Sequence, residues 1–247
     1  MATGSLESEI QAERTRILAE IARRNREIPR DRDARWQPSQ QWLINERRYF
    51  AVELLKRCDV FPTQDTRCLE IGFGFGGWLP DLISWGVNET NLHGIDLSER
   101  CVLSTRRLLP AADLRVGDAA NLPWDESTFD LVIASTVFTS ILNNAVRVQV
   151  AKEMTRVLAP GGALLWYDFR YDNPKNPNVR KVTRSELRSL FPTLVGKVCT
   201  VSLAPPLLRA ILPLSRTLTS ILTAIPFLRT HLIAVLRKPS QERRLWK

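Results

Sequence analysis

The segment that most restricts the fold is residues 67–77, Arg-Cys-Leu-Glu-Ile-Gly-Phe-Gly-Phe-Gly-Gly. Its first five residues have strand character. They run into a turn in which four of the six positions 72–77 are glycine. Gly72, Gly74 and Gly76 permit backbone angles and a close approach that a Cβ blocks. The apolar stretch over 78–85 then predicts a helix. Strand, glycine-rich turn and helix in this order open an α/β unit with a binding turn at the carboxyl end of its strand.

The alternation continues along the chain. Strands are predicted at 92–96, 113–116, 129–134 and 163–167. Helices are predicted from Ser98, a candidate N-cap, to 109, and over 145–158, where Pro160-Gly161-Gly162 stops the second. Five such alternations predict a parallel sheet covered by helices on both faces. Ahead of them, residues 6–28 and 41–58 read as helices; Leu6, Ile10, Ile17, Leu18, Ile21 and Ile28 recur near helical spacing in the first. Behind them come a short helix at 184–190 and strands at 197–203 and 231–236. The Leu-rich stretch 205–229 between these strands reads as two short helices. The expected organisation is a helical N-terminal extension over 1–58 and an α/β domain over 59–247, with a helical insertion at 205–229.

In an open parallel sheet, ligands bind beyond the carboxyl ends of the strands. Those ends here are Glu70 with its turn, Asp96, Gly117-Asp118-Ala119 and Ser135. Asp96, some twenty residues past the turn, suits the two hydroxyls of a ribose. Asp118 suits the exocyclic amine of an adenine, and Glu70 the ordering of the turn. Gly72, Gly74 and Gly77 also fit G-x-G-x-x-G, so a nicotinamide-dependent oxidoreductase is the alternative from another class. The Tyr171/Lys175 pair that such an enzyme would need on one helix is interrupted by Pro174.

The run Leu69-Glu70-Ile71-Gly72-Phe73-Gly74-Phe75-Gly76 resembles the first motif of class I S-adenosylmethionine-dependent methyltransferases. His93-Gly94-Ile95-Asp96-Leu97-Ser98 is similar to their second motif. Gly117-Asp118-Ala119-Ala120-Asn121-Leu122-Pro123-Trp124 and Phe129-Asp130-Leu131-Val132 resemble the third and fourth, and Arg156 to Gly162 the segment before the fifth strand. The resemblance spans residues 45–170. It implies a Rossmann-like doubly wound sheet of seven strands whose last, antiparallel strand is 231–236. It implies S-adenosyl-L-methionine as cofactor, held by Glu70, Gly72, Gly74, Gly76, Asp96, Leu97, Asp118, Ala119 and Ser135. The stretch 165–174 is similar to a bacterial type-11-like subgroup with glycan and small-molecule acceptors. Where many small-molecule members carry a histidine after the fourth strand, this chain has Thr136-Val137-Phe138-Thr139-Ser140.

The expected reaction is methyl transfer to a sugar or glycan hydroxyl. A natural-product or lipid acceptor and RNA are the alternatives within the class. Asp168, after the fifth strand, is the candidate acid or base, with Tyr167, Arg170 and Tyr171 as pocket walls; Tyr49 and Phe50 are placed to reach the donor from the second helix. Net charge is +9, divided as −3 over the first 169 residues and +12 over 170–247. A basic third of this kind suits a phosphate-bearing acceptor or an anionic membrane surface. Nucleic acid is disfavoured, since neither a basic tail nor an aromatic RNA-binding signature is present. Leu207, Leu208, Leu212, Leu218 and Leu222 offer either a subunit or domain contact, a homodimer among the options, or an amphipathic lid for a lipid-linked or bulky apolar acceptor. Cys58, Cys68, Cys101 and Cys199 are scattered, so neither a metal site nor a disulfide framework is expected. The first ten residues include Glu7 and Glu9 and no apolar run, and no stretch is long enough to span a bilayer; a cytoplasmic setting is the expectation.

Overall fold

A computed structural model of the chain describes residues 2–29, 31 and 34–240. Two helices come first, α1 (Ala2–Glu27) and α2 (Pro38–Arg57). The alternating region follows: β1 (Cys68–Ile71), α3 (Leu79–Ser84), β2 (Leu92–Asp96), α4 (Glu99–Arg106), β3 (Asp113–Val116), β4 (Phe129–Ser135), α5 (Asn144–Val157) and β5 (Leu158–Phe169). The last third holds α6 (Arg184–Leu190), β6 (Val195–Leu203), α7 (Pro205–Ile211), α8 (Arg216–Ala224) and β7 (Arg229–Arg237). The seven strands form one sheet in the order β3-β2-β1-β4-β5-β7-β6. β7 is antiparallel to both of its neighbours, and the remaining pairings are parallel.

Side chains alternate across the sheet with the strand period of two. Leu69, Ile71, Val132 and Ala134 face one side, packed with Val150, Met154 and Val157 of α5. Cys68, Leu131, Ile133, Leu165 and Val235 face the other, packed with Trp78, Leu79, Leu82 and Val102. The N-terminal helices enter these same cores. Ala51, Leu54 and Leu55 of α2 are buried in the second, and Ile10 and Ile17 of α1 pack against the first. Residues 1–58 therefore share their apolar interior with the sheet as far as they are described.

One predicted boundary is corrected. Pro160-Gly161-Gly162 does not separate helix from strand. α5 passes directly into β5, and the Pro-Gly-Gly lies inside that strand. Phe129 pairs with Leu158 while Leu131 pairs with Ala163, so β5 carries extra residues at a bulge. Gly161, at φ +83°, takes the backbone angle the bulge needs.

The carboxyl ends of the central strands lie level. Ile71 pairs with Ile95 and with Ala134, and Asp96 pairs with Val116. The loops after β1, β2, β3 and β4 therefore open on one edge. Arg147 of α5 braces the segments behind that edge. It is fully buried; its Nε donates to Ile141 O at 2.6 Å, and its guanidinium reaches Glu186 at 2.5 Å. Replacing it with alanine leaves Ile141 O without its donor and Glu186 with Arg180 alone. Arg147→Ala is expected to destabilise the fold by about 3 kcal/mol in urea unfolding.

Candidate functional site

A cavity of about 740 Å³ sits at the carboxyl edge of the sheet. One wall comes from the strand ends, through Gly72, Gly74, Asp96, Leu97, Asp118, Ala119 and Ser135. The opposite wall is α1. Ile10, Arg14, Ile17, Ile21, Arg24 and Ile28 all line the cavity. Their spacing of four, three, four, three and four residues is one stripe of a helix.

The glycine-rich turn is fixed from below. Glu70 points under it, fully buried, and both carboxylate oxygens accept from Trp78 N–H, at 3.0 and 2.8 Å. Gly77 lets the carboxylate in. A Cβ built there would lie 2.1 Å from Glu70 Oε1, and its φ is +46°. Burial pushes the Glu70 carboxyl up to about 8, against the opposing pull of the Trp78 N–H and of Arg47.

Asp96 joins the turn to the second strand. Its Oδ2 accepts from Gly74 N–H and its Oδ1 from Ser98 N–H, each at 2.8 Å. A carboxylate accepts about four hydrogen bonds, so two positions remain for a ligand. Burial pushes its pKa up, while those two N–H groups pull it down. Asp118 Oδ1 accepts from Ala120 N–H at 2.9 Å, which leaves Oδ2 for the cavity that this residue lines. Ser98 caps α4 as expected, its Oγ accepting from Cys101 N–H at 3.4 Å.

Of the expected cofactor contacts, Glu70 and Gly76 are not among the lining residues; Glu70 orders the turn instead. None of the four acceptor-side candidates lines the cavity. Asp168 is fully buried: Thr139 N–H donates to Oδ2 at 3.1 Å and Phe169 N–H to Oδ1 at 2.9 Å. Burial pushes it up to about 7, yet it has no path to a ligand there. The Tyr167 hydroxyl lies 3.0 Å from Ser202 Oγ, and its ring stacks on His231 at 4.7 Å. Arg170 donates to Pro226 O at 3.3 Å and lies over the Tyr171 ring, and the Tyr171 hydroxyl reaches Phe227 O at 3.5 Å. Side chains alternate along β5, so proximity to its end did not place Tyr167 and Asp168 on the cavity.

The histidines are likewise occupied. His93 packs edge-on to Phe129 and Trp124, and burial of His231 pushes it down to about 3. Asp172 pairs with Lys181 at 3.0 Å, and no metal-binding cluster occurs among the described residues. Tyr49 is exposed and Phe50 packs into the core behind the sheet, so the helix that reaches over the site is α1, not α2.

Two contributions were missed. The stripe on α1 was visible as isoleucines at helical spacing, but not the surface it would meet. Arg47 had no sequence signal at all. It lies half-buried at the edge of the site, with Cζ 4.1 Å from the centre of the Trp78 ring and a guanidinium nitrogen 3.3 Å from Ser135 Oγ. Its Nε has no hydrogen-bond partner among the described residues.

The raised pKa of Glu70 has a thermodynamic consequence. Between its ordinary value near 4.5 and about 8, the folded chain holds this proton more tightly than the unfolded chain does. Stability contributed by the group therefore falls as pH rises through that window, by at most about 1.4 kcal/mol per pH unit. Glu70→Gln is expected to remove that slope. Urea unfolding of both proteins from pH 5 to 8 measures it, and parallel curves would show that Glu70 does not titrate there.

A sequence profile described as a methyltransferase domain matches residues 68–162. The chain is 30% identical over 118 residues to a demethylmenaquinone methyltransferase of Bacillus mycoides (strain KBAB4), covering 46% of this chain and 48% of that protein. It is 32% identical over 112 residues to a phthiotriol/phenolphthiotriol dimycocerosates methyltransferase 1 of Mycobacterium ulcerans (strain Agy99), covering 43% and 39%. The chain thus spans half or less of the length of these relatives. Among solved structures, geranyl diphosphate C-methyltransferase from Streptomyces coelicolor A3(2), in complex with Mg2+, geranyl diphosphate and S-adenosyl-L-homocysteine, shares the fold. The TM-score is 0.61 at 15% identity, over 81% of this chain and 80% of that one. By this match and its strand order with one antiparallel strand, residues 68–162 carry a methyltransferase domain, set in the fold of S-adenosylmethionine-dependent methyltransferases.

Proposed function

We propose that the chain transfers a methyl group from S-adenosyl-L-methionine to an apolar small molecule. The observation that carries this reading is the cavity itself. Its sheet-side wall presents two carboxylates suited to an adenosine, and its other wall sets Ile10, Ile17, Ile21 and Ile28 in one stripe with Arg14 and Arg24. A cavity of about 740 Å³ lies within the range of small-molecule sites, about 300–1,000 Å³, and suits a nucleoside beside a second ligand.

The donor, when bound, supplies an electrophilic methyl on a sulfonium. The residues of the chain then act by placement. Asp96 accepts from the ribose hydroxyls with the lone pairs that Gly74 and Ser98 leave free. Asp118 and Ala119 flank the adenine. Gly72, at φ +65°, brings its backbone against Val137; a Cβ there would lie 2.9 Å from Val137 Cγ2. Arg47 holds positive charge behind Ser135, on the side where an amino-acid carboxylate would lie. The carboxylates lining the cavity are Asp96, Asp118 and Glu13. Glu13 is bound to Arg16 and to the backbone of Leu142, which hold its pKa down against burial. No histidine lines the cavity among the described residues. Rate enhancement then rests on proximity and orientation, which supply about 7–11 kcal/mol in well-aligned systems.

The expectation of a sugar hydroxyl acceptor finds no support in this wall. A sugar is recognised through several carboxylates and amides; here Ile10, Ile17 and Ile21 of α1, with Ile28 just past the helix, form an apolar strip beside Arg14 and Arg24, and Glu13, the one carboxylate of that wall, is already bound by Arg16 and Leu142. The two relatives described above are named for lipid acceptors, a quinone and a phthiotriol, which agrees with an apolar acceptor.

Two measurements test the reading. Calorimetry is expected to show binding of S-adenosylhomocysteine and none of NADH. Asp96→Ala should weaken the former by about 1.5–3 kcal/mol, and an unchanged dissociation constant would remove Asp96 from the site. Labelled methyl incorporation should favour apolar acceptors, demethylmenaquinone among them, over a panel of glycosides. Ile21→Ser should lower kcat/KM for the best acceptor by about tenfold, about 1.4 kcal/mol, without changing cofactor affinity. Preference for glycosides would overturn the acceptor assignment while leaving the donor intact.

A further inference from the structure

We propose that the hairpin 205–228, which contains α7 and α8, docks the protein on an anionic lipid bilayer. The inference is independent of the methyl-transfer reading, because it rests on a different part of the surface. β6 ends at Leu203 opposite Arg229, the first residue of β7, and β5 ends at Phe169 opposite His231. The hairpin therefore projects from the same edge of the sheet as the cavity.

Its two faces do different things. The inner face is anchored. Leu203, Leu208 and Leu212 form a small separate core with Trp42, Leu43, Leu207, Leu222 and Leu228, so the two helices are held on α2. Most of the leucines expected to make a subunit or domain contact thus pack within the chain. Leu218 is the exception, because it faces outward. The outer face presents Leu214 at 82% exposure, Phe227 at 72%, Ile221 at 58% and Leu218 at 45%. Leu218 and Ile221 lie three residues apart in α8 and share one side of it, and Leu214 stands in the turn that joins α7 to α8. None of the four contributes to the core that holds the hairpin in place.

The charge around this face selects the partner. Residues 187–241 contain seven Lys or Arg and no Asp or Glu. Arg209 and Arg216 lie in the hairpin, and Arg229 closes its base by donating to Thr223 O and Thr200 O. Arg170 packs over Tyr171, whose half-exposed ring lies at the rim beside Phe227. Apolar side chains flanked by cations and an interfacial tyrosine match the chemistry of an acyl and phosphate boundary. A two-fold contact between copies would set these same cations against each other with no acid in the hairpin to pair them. No helix of the described residues is long and apolar enough to cross a membrane, so the contact is peripheral.

The test uses the full chain and unilamellar vesicles. One set is an equimolar mixture of phosphatidylglycerol and phosphatidylcholine; the other is phosphatidylcholine alone. The protein is expected to sediment with the first at least about tenfold more strongly than with the second, and less as salt is raised. The double variant Leu218→Glu with Phe227→Glu should lose about tenfold or more of that binding, while its affinity for S-adenosylhomocysteine stays at the wild-type value. Arg216→Gln, which leaves the apolar face intact, should weaken binding about fivefold, the effect of one cation near an anionic surface. Equal sedimentation with both vesicle types, or none with either, would overturn the proposal. So would a double variant that sediments like the wild type, or self-association lost in that variant with no vesicle binding in the parent.

Discussion

The site depends on one buried contact, the acceptance of Trp78 N–H by the Glu70 carboxylate beneath the glycine-rich turn. The turn has few side chains of its own to hold it. A carboxyl group reaching up from the end of β1 supplies the missing anchor, and Gly77 gives it space that any Cβ would occupy. The contact sets the position of Gly72 and Gly74, and Asp96 then ties Gly74 to the second strand. A hydrogen bond of this kind is far stronger away from water than at a surface, which is why full burial of Glu70 suits its role. The same burial raises its pKa.

From that anchor the molecule divides its work by edge and face. The carboxyl edge of the sheet gathers the polar groups that meet a nucleoside. α1 crosses over them and turns an isoleucine stripe toward the space between. α1 is itself held by polar ties: at the cavity wall Glu13 accepts from Leu142 N–H, and away from it Glu20 accepts from the side chains of Asn176 and Asn178 at 3.1 and 2.8 Å. The roof brings isoleucines over the site with Arg14 and Arg24 between them, so its underside is apolar along part of its length and cationic along the rest.

The acceptor side shows the limit of arguing from chain position. Asp168 stands at the carboxyl end of β5, near the correct edge, as a base would. Its side chain turns into the protein and is consumed by two backbone N–H groups. Tyr167 faces the opposite side and meets Ser202 and His231. A burial-shifted carboxyl is often read as a functional sign; Asp168 has the shift without the access, so its carboxyl holds a loop.

What the sequence by itself determined is the local and periodic part. The alternation of strand and helix, the glycine-rich turn over an acid, and the acids at the ends of the second and third strands were legible, because each follows from spacing along a few neighbouring residues; the antiparallel direction of the seventh strand came from the family resemblance of the motifs. The paired short helices at 205–229 were legible for the same reason. What only the tertiary structure decided is which surfaces meet. A stripe on α1 carries no mark of the cleft it will cover, and Arg47 none of its place between Trp78 and Ser135. The alternation of side chains along β5 is regular, but which of its two faces looks toward the ligand depends on register against β4 and β7, and the bulge at Pro160 to Gly162 shifts that register. Contacts between residues distant in sequence are set by the packing of whole elements, and a single strand of residues does not contain that information in local form.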